Sequence, residues 1–332
     1  MSKLTIGRRL LFLVVGLLIV LPIGGCSGAK QPPAAPAAAA KPQGDTDLDM
    51  KPILRDFLAN LPADWNLAPA ADVVKAKPFI VDVRPPEDYA RGFIAGAVNI
   101  TLRDLPQNLQ ALPAMDQDIV VACDSGHRAA IGMAVLQMLG YKKARSLEGG
   151  MEAWRQARLP VVTGPVPPRP AGQAPNVDKR LQAVLSYYVQ RTLPTNEGSV
   201  SLATLTEDQK RKSSAELEAL PETYDQGRSL LLDVDTPAEF AKSRLSKSLN
   251  IPLRGLAIGL DNVPLPEIIG YACGVPDAYH PEAKMTRFIV VSASGHRAAL
   301  GMMTMQLLGF HFVGALDGNL NTLTPVGPVA VA

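Results

Sequence analysis

The sequence predicts an α/β protein with two tandem domains, each a parallel β-sheet covered by helices on both faces. Two observations lead to this prediction. The hexapeptide Ser-Gly-His-Arg-Ala-Ala occurs at 125–130 and again at 294–299, and shorter matches flank it in the same order. Within each copy, short β-branched apolar runs alternate with helical segments, which is typical of parallel strands joined by helices.

Composition supports folded domains and excludes several classes of function. The chain has 332 residues, of which 47% are hydrophobic and 19% charged, so it can build two cores. The net charge is only +2, whereas dedicated nucleic-acid-binding proteins are strongly basic, so we expect no nucleic-acid partner. Three cysteines are too few for a CxxC…CxxC zinc site, and the common nucleotide and metal motifs are missing, so we expect no metal and no cofactor.

Residues 1–25 resemble a bacterial lipoprotein signal peptide. Lys3, Arg8 and Arg9 precede an apolar run of about 14 residues, shorter than the ~20 that cross a bilayer as a helix. The run ends in Ile-Gly-Gly-Cys, which is similar to a lipobox with Cys26 as the lipidated residue. We therefore expect an anchor in a bacterial membrane, with the folded part facing the periplasm or the cell exterior.

Two proline-rich segments divide the chain. Residues 26–46 are an Ala/Pro-rich tether, and residues 163–176 are a Pro-rich linker near the middle. Their positions predict a first domain at 47–162 and a second domain at 177–326.

Strands and helices can be assigned within the first copy and matched in the second. A strand at 79–83 ends in Asp-Val, as does its counterpart at 230–234. A second strand, at 118–122, leads through a short loop into a helix at 128–139. Because this helix is apolar nearly all round and stops at Gly140, we expect it to be buried against the sheet.

The loop between the 118–122 strand and the buried helix is the candidate reactive site. It begins at Cys123 and ends at Arg128. A loop of this size at a helix N-terminus directs successive backbone N–H groups inward, and Gly126 permits the tight curl. These donors and Arg128 would stabilise a Cys123 thiolate, so we predict a lowered pKa and a nucleophilic sulfur.

Motifs around this loop resemble those of rhodanese domains, in the sulfurtransferase superfamily. Asp82, Arg84 and the stretch 92–100 are similar to the family's first signature, except that Phe93 replaces the usual His. Residues 147–161 are similar to its closing signature. The resemblance covers about 50–162 and, more weakly, 177–326. It implies transfer of sulfane sulfur from a thiosulfate-, thiol- or polysulfide-type donor to a thiophilic acceptor, through a persulfide on the loop cysteine.

The resemblance also implies roles for the surrounding side chains. Five loop residues would bind the donor and the outer sulfur: Asp124, Ser125, Gly126, His127 and Arg128. Asp82 and Arg84 would form a structural ion pair behind the loop. Arg128 either binds an anionic donor or packs its stem at the helix start. His127 recurs as His296 in the copy without the cysteine, which favours a structural role over general-base catalysis.

The second copy has lost its nucleophile. Ser292 stands in the place of Cys123, and Asp235 in the place of Arg84, so we predict that domain 2 is non-catalytic. Its loop either still binds an anion or serves only to pack against domain 1. Two insertions distinguish this copy, at 206–220 with capping-box spacing for a charged helix, and at about 255–284. The second insertion contains Cys273, either a buried thiol or a sulfur relay.

Three functions are compatible with these residues. The first is an extracytoplasmic sulfurtransferase acting through a Cys123 persulfide. The second is a non-catalytic binding or sulfur-carrier module. A phosphatase or arsenate reductase is disfavoured, because those relatives have a Cys-x5-Arg loop and this chain has Cys-x4-Arg. Asp124 is an unusual acid for an anion-binding loop and points to a thiol or polysulfide donor.

Overall fold

A computed structural model describes residues 48–170, 172–200, 230–242, 244–245, 248–262, 288–310 and 313–318. All of them belong to one compact unit, Pro42–Ala332. The predictions for the signal peptide, Cys26, the tether, the 206–220 insertion and Cys273 lie outside the described residues. Among the described helices, none combines the length and the apolar character needed to span a membrane.

The first half of the chain forms a parallel sheet flanked by helices. Its elements, in chain order, are α1 (Met50–Ala59), β1 (Leu67–Ala68), α2 (Ala70–Ala76), β2 (Phe79–Asp82), α3 (Pro86–Ala90), β3 (Val98–Asn99), β4 (Ile119–Ala122), α4 (His127–Met138), β5 (Ala144–Leu147) and α5 (Gly150–Gln156). The strand order is β1-β5-β4-β2-β3, and every described pairing is parallel. Two short 3-10 turns, Leu105–Gln107 and Leu109–Ala111, lie between β3 and β4.

Strand β4 and helix α4 place the candidate loop at the carboxyl end of the central strand of the sheet. All four residues of β4 are buried, as expected for a strand covered on both faces. Helix α4 packs closely on it, because a Cβ added to Gly132 would lie 3.1 Å from Val121 Cγ1. Two glycines with left-handed φ bound the helix, Gly126 at 101° and Gly140 at 105°. Cys123 therefore follows the last residue of a central strand directly.

The second half repeats this arrangement. Its described elements are α6 (Lys179–Tyr187), which continues as a π-helical turn (Tyr188–Thr192), then β6 (Ser199–Val200), β7 (Leu230–Asp233), α7 (Pro237–Lys242), β8 (Ser248–Asn250), α8 (Leu253–Asn262), β9 (Phe288–Val291), α9 (Gly295–Leu307) and β10 (Val313–Leu316). The strand order, β6-β10-β9-β7-β8, matches that of the first sheet, again with parallel pairing. The predicted tandem α/β fold is confirmed.

The repeat extends further toward the N-terminus of each half than the sequence analysis recognised. Helices α1 and α6 are each followed by Leu-Pro, at 61–62 and 193–194, and then by a residue with left-handed φ. Those residues are Trp65, with φ 59°, and Glu197, with φ 53°. Each turn leads into the edge strand, β1 or β6. The repeated Leu-Pro pair was the available signal, but it is too short to stand out alone.

The two halves contact each other through reciprocal interactions. Helix α4 packs against helix α9. Nε2 of His127 lies 2.9 Å from the Glu197 carbonyl oxygen, and Nε2 of His296 lies 2.9 Å from that of Trp65. Arg103 donates to the Pro194 carbonyl at 2.6 Å, and its counterpart Arg254 donates to the Pro62 carbonyl at 2.9 Å. The halves thus meet as the two subunits of an isologous dimer do.

Candidate active site

The Cys123 sulfur lies inside the curl of the loop between β4 and α4. The backbone N–H groups of Gly126 and Ala129 donate to Sγ, at 3.1 Å and 3.3 Å. The left-handed Gly126 turns the chain so that its own N–H faces back toward the sulfur. Cys123 is only 1% exposed, and its side chain belongs to the buried apolar cluster beneath α4.

The predicted lowering of the Cys123 pKa is wrong. Burial raises the pKa of the thiol, whereas the Ala129 N–H, the positive charge of Arg128 and the Gly126 N–H lower it. Desolvation prevails because the sulfur is almost completely removed from water, where a thiolate is best stabilised. The resting loop therefore favours a protonated thiol, with two amide donors already in place for a negative sulfur.

A chain of charges links the sheet to the loop. Arg84 Nη2 lies 2.6 Å from Asp82 Oδ2, and both side chains are 1% exposed. The same guanidinium reaches forward through Nη1 to Asp124 Oδ1, at 3.2 Å. Arg128 Nη2 lies 2.5 Å from the other carboxylate oxygen of Asp124. Two arginines thus balance the charge of Asp124, which explains an acid at the mouth of an anion-binding loop.

This arrangement changes the interpretation of Arg128. The sequence left its role open between binding the donor and packing by its stem, and the structure adds an ion pair with Asp124, four residues earlier in the loop. The bridge from Arg84 to Asp124 was missed, because two residues that follow different strands give no local signal of their proximity. Only the parallel neighbours β2 and β4 bring them to the same sheet edge.

Two of the predicted donor-binding residues face domain 2. Ser125 Oγ donates to Asp317 Oδ1 at 2.9 Å. His127 is buried, and its Nε2 faces the Glu197 carbonyl, so Nε2 carries the proton. Burial lowers the pKa of His127, which keeps the ring neutral. A role for either side chain in binding the donor remains a prediction.

The second loop uses its groups differently. Ser292 Oγ donates to the Ser294 carbonyl, and the Ala293 N–H donates to Asp235 Oδ2 at 2.7 Å. Arg297 Nη2 lies 2.9 Å from Asp235 Oδ1, and its Nη1 lies 2.8 Å from Glu239 Oε2. The Asp235 carboxylate therefore already accepts the hydrogen bond from the Ala293 N–H, a group that would otherwise be available to bind an anion. This favours the packing role of domain 2 over anion binding.

Two other kinds of site were considered in the described part of the chain, a metal centre and a groove. No group of three His, Cys, Asp or Glu side chains there is arranged to hold a metal ion. A shallow groove of about 500 Å³ lies along α6, with Lys179, Gln182 and Arg191 among its lining residues. It includes no residue of the Cys123 loop.

Both halves of the chain match the same protein family. The sequence model of the rhodanese-like domain family matches residues 66–157 and 213–323, together more than half of the chain. A sulfurtransferase of Allochromatium vinosum is 34% identical over 97 residues, covering 29% of this chain and 85% of the relative. A thiosulfate sulfurtransferase of Stutzerimonas stutzeri is 36% identical over 76 residues, covering 23% of this chain and 69% of the relative.

Among solved structures, a rhodanese-related protein of Thermoplasma volcanium is 31% identical, with a TM-score of 0.28. That match covers 29% of this chain and 97% of the other chain. The family model matches once in each half, and each half contains a five-stranded parallel sheet of the same strand order. The chain belongs to the rhodanese-like domain family and carries two such domains.

Proposed function

We propose that this protein is a sulfurtransferase that carries sulfur as a persulfide on Cys123. The observation that supports this most directly is the position of Sγ between the N–H groups of Gly126 and Ala129. Backbone donors fixed in place stabilise negative charge on sulfur without reorganisation. They serve both anionic forms in the cycle, the thiolate and the persulfide.

The proposed reaction has two displacements. The Cys123 thiol first loses its proton to water, and the thiolate attacks the sulfane sulfur of the donor. A new S–S bond forms, and the donor's bond to that sulfur breaks, so that sulfite or a thiolate leaves with the electron pair. A thiophilic acceptor then attacks the outer sulfur, and the Cys123 thiolate is regenerated. No net oxidation or reduction occurs, so no further reactant is required.

The charges around the loop bear on the donor. Arg84 pairs with both Asp82 and Asp124, and Arg128 pairs with Asp124, so the two positive charges are balanced by two carboxylates of the chain. A dianion such as thiosulfate would have to compete with that carboxylate. This supports a thiol persulfide or a polysulfide as the donor over thiosulfate in the proposed function. In an Asp124→Ala variant, the rate with thiosulfate should rise relative to the rate with a thiol persulfide.

A second function is supported by a specific observation. The Cys123 side chain is almost inaccessible and its pKa is raised by burial, as expected of a module that binds a partner or stores sulfur with little turnover. A phosphatase or arsenate reductase has less support, because Arg128 is held by Asp124 in a loop one residue shorter than theirs.

Intact-mass measurement distinguishes these functions. The full chain is incubated with thiosulfate or with a polysulfide and is then exposed to cyanide as acceptor. The sulfurtransferase predicts an added sulfur atom that is lost on exposure to cyanide and is missing in Cys123→Ser. Cys273→Ser is the matched control and should form the adduct normally. If no donor gives an adduct on the wild-type chain, the sulfurtransferase is excluded; an adduct that cyanide does not remove indicates a carrier.

We further propose that the protein works outside the cytoplasm, anchored by a lipid on Cys26. The apolar run and the Ile-Gly-Gly-Cys at 23–26 support this location. Expression of Cys26→Ser in a bacterial host should move the protein from the membrane fraction to the soluble fraction. Retention of the variant in the membrane fraction would contradict a lipid anchor.

A further inference from the structure

We infer that Asp317, from the domain that has lost its nucleophile, is a positioning residue for the Cys123 loop. The inference deepens the proposed function and rests on it, since it assigns to domain 2 a part in the same site. Asp317 touches neither the sulfur nor, in the proposed reaction, the donor. It acts through Ser125.

The carboxylate of Asp317 is fixed on its own side before it reaches the loop. Asp317 directly follows β10, and its backbone N–H donates to the Val200 carbonyl at 2.9 Å. Ser199 Oγ donates to Asp317 Oδ2 at 3.1 Å. The other oxygen, Oδ1, accepts the hydrogen bond from Ser125 Oγ at 2.9 Å. Asp317 thus joins the edge strand β6 of one domain to the reactive loop of the other.

The contact acts on the peptide group that faces the sulfur. Ser125 immediately precedes Gly126, whose N–H lies 3.1 Å from Sγ. On the other side of Gly126, His127 is held by the Glu197 carbonyl of domain 2 at 2.9 Å. Both neighbours of a flexible glycine are therefore tied to domain 2, and the orientation of the Gly126 N–H depends on those ties.

The charge of Asp317 and its hydrogen bond have opposite effects on the thiolate. A nearby negative charge disfavours ionised sulfur, whereas a well-positioned loop favours it through the amides. Ser125→Ala removes the bond and keeps the charge. Asp317→Asn keeps an acceptor oxygen and removes the charge. These two variants separate positioning from electrostatics.

The repeat supplies matched controls. Glu148 follows β5 as Asp317 follows β10, and its side chain is exposed. Ser294 occupies the position of Ser125 in the second copy of the hexapeptide. Ser294→Ala is the equivalent substitution in the other loop, and Glu148→Ala shortens an exposed side chain beside the Cys123 loop, so neither removes the Ser125–Asp317 hydrogen bond.

The test measures the rate at which iodoacetamide alkylates Cys123 in the full chain across pH, read by mass spectrometry of the peptide that contains it. We expect Ser125→Ala to raise the midpoint of the profile by about one pH unit, a tenfold change in the thiol–thiolate equilibrium. In the Asp317→Ala background, Ser125→Ala should cause no further shift. Asp317→Asn should not raise the midpoint, and the two control variants should match the wild type.

Equal shifts from Ser125→Ala with and without Asp317 would overturn the inference, as would an unchanged midpoint in Ser125→Ala. Alkylation does not require sulfur transfer. If Ser125→Ala shifts the midpoint only when Asp317 is present while Cys123 forms no persulfide with any donor, the proposed function fails and the positioning role of Asp317 stands. If the persulfide forms but the shift does not depend on Asp317, only the positioning role fails.

Discussion

The loops at Cys123 and Ser292 share a hexapeptide and a position between a central strand and a buried helix, but their charges are arranged in opposite ways. In the first, Arg84 extends from the end of β2 to the loop acid Asp124. In the second, Asp235 stands at the end of β7, accepts the Ala293 N–H and attracts Arg297. The residues at the end of the neighbouring strand, outside the shared hexapeptide, decide what each loop can hold.

The largest effect should come from the buried pair that supports the first loop. Asp82→Asn leaves the Arg84 guanidinium without its main counter-charge, and both side chains are inaccessible to water. We expect a loss of about 3 kcal/mol in the free energy of unfolding, measured by urea denaturation at pH 7. Asp88→Asn is the control, because its pair with Arg91 lies at the surface and should cost less than about 1 kcal/mol. Similar losses in both variants would contradict the role of the buried pair.

The equivalent substitution in the second copy should have the opposite sign. Burial, together with the charge of Asp235, raises the pKa of Asp233 from 3.8 to about 7. The folded state then binds more protons than the unfolded state between about pH 4 and pH 7, so this group costs stability as pH rises through that range. At pH 8, Asp233→Asn should increase the free energy of unfolding by roughly 2 kcal/mol.

The pH dependence of the stability gained by Asp233→Asn tests this explanation more directly than its size at one pH. Near pH 4 Asp233 is neutral in the folded state and only about half ionised in the unfolded state, so the gain should fall to a small fraction of its value at pH 8. His296, whose pKa burial lowers to about 4, adds a pH dependence of opposite sign, but it is present in both proteins and cancels in the difference. A gain that does not change between pH 4 and pH 8 would rule out relief of a buried charge.

The next effect tests how Gly150, at the start of α5, shapes the first loop. A Cβ on Gly150 would lie 2.4 Å from the Asp124 carbonyl oxygen, and φ there is +61°. Gly150→Ala should therefore displace the loop, destabilise the protein by about 2 kcal/mol and slow persulfide formation about tenfold. Gly96→Ala, also at positive φ but with open space around its Cβ, should keep the wild-type rate of persulfide formation. Equal rates in the two variants would show that the glycine does not shape the site.

The last prediction is that a thiol placed in the second loop forms no persulfide. In a Cys123→Ser background, Ser292→Cys places a thiol at the start of the second loop. We expect no persulfide there, because Asp235 occupies the Ala293 N–H and places a negative charge beside it. Mass spectrometry after incubation with polysulfide checks this. An adduct on residue 292 would show that only the missing sulfur separates the two loops.

Much of the fold could be predicted because its signals are local in sequence. A buried strand, a loop beginning at Cys123 and an apolar helix ending at Gly140 follow one another, and the hexapeptide identifies the second copy. The edge strands were missed because β1 and β6 have two residues each, too few for a periodic pattern. The direction of the Cys123 pKa shift was also missed, since it depends on how much water reaches the sulfur.

The sequence by itself determined the α/β class, the duplication, the position of the reactive loop and the loss of the nucleophile in the second copy, because each depends on residue type or on neighbours along the chain. Only the tertiary structure decided that Arg84 reaches Asp124, that Asp317 binds Ser125 and that the Cys123 sulfur is desolvated. These features depend on distances between segments far apart in sequence. Such distances are set by how the sheets and helices pack, and patterns that are local in the sequence do not reveal that packing.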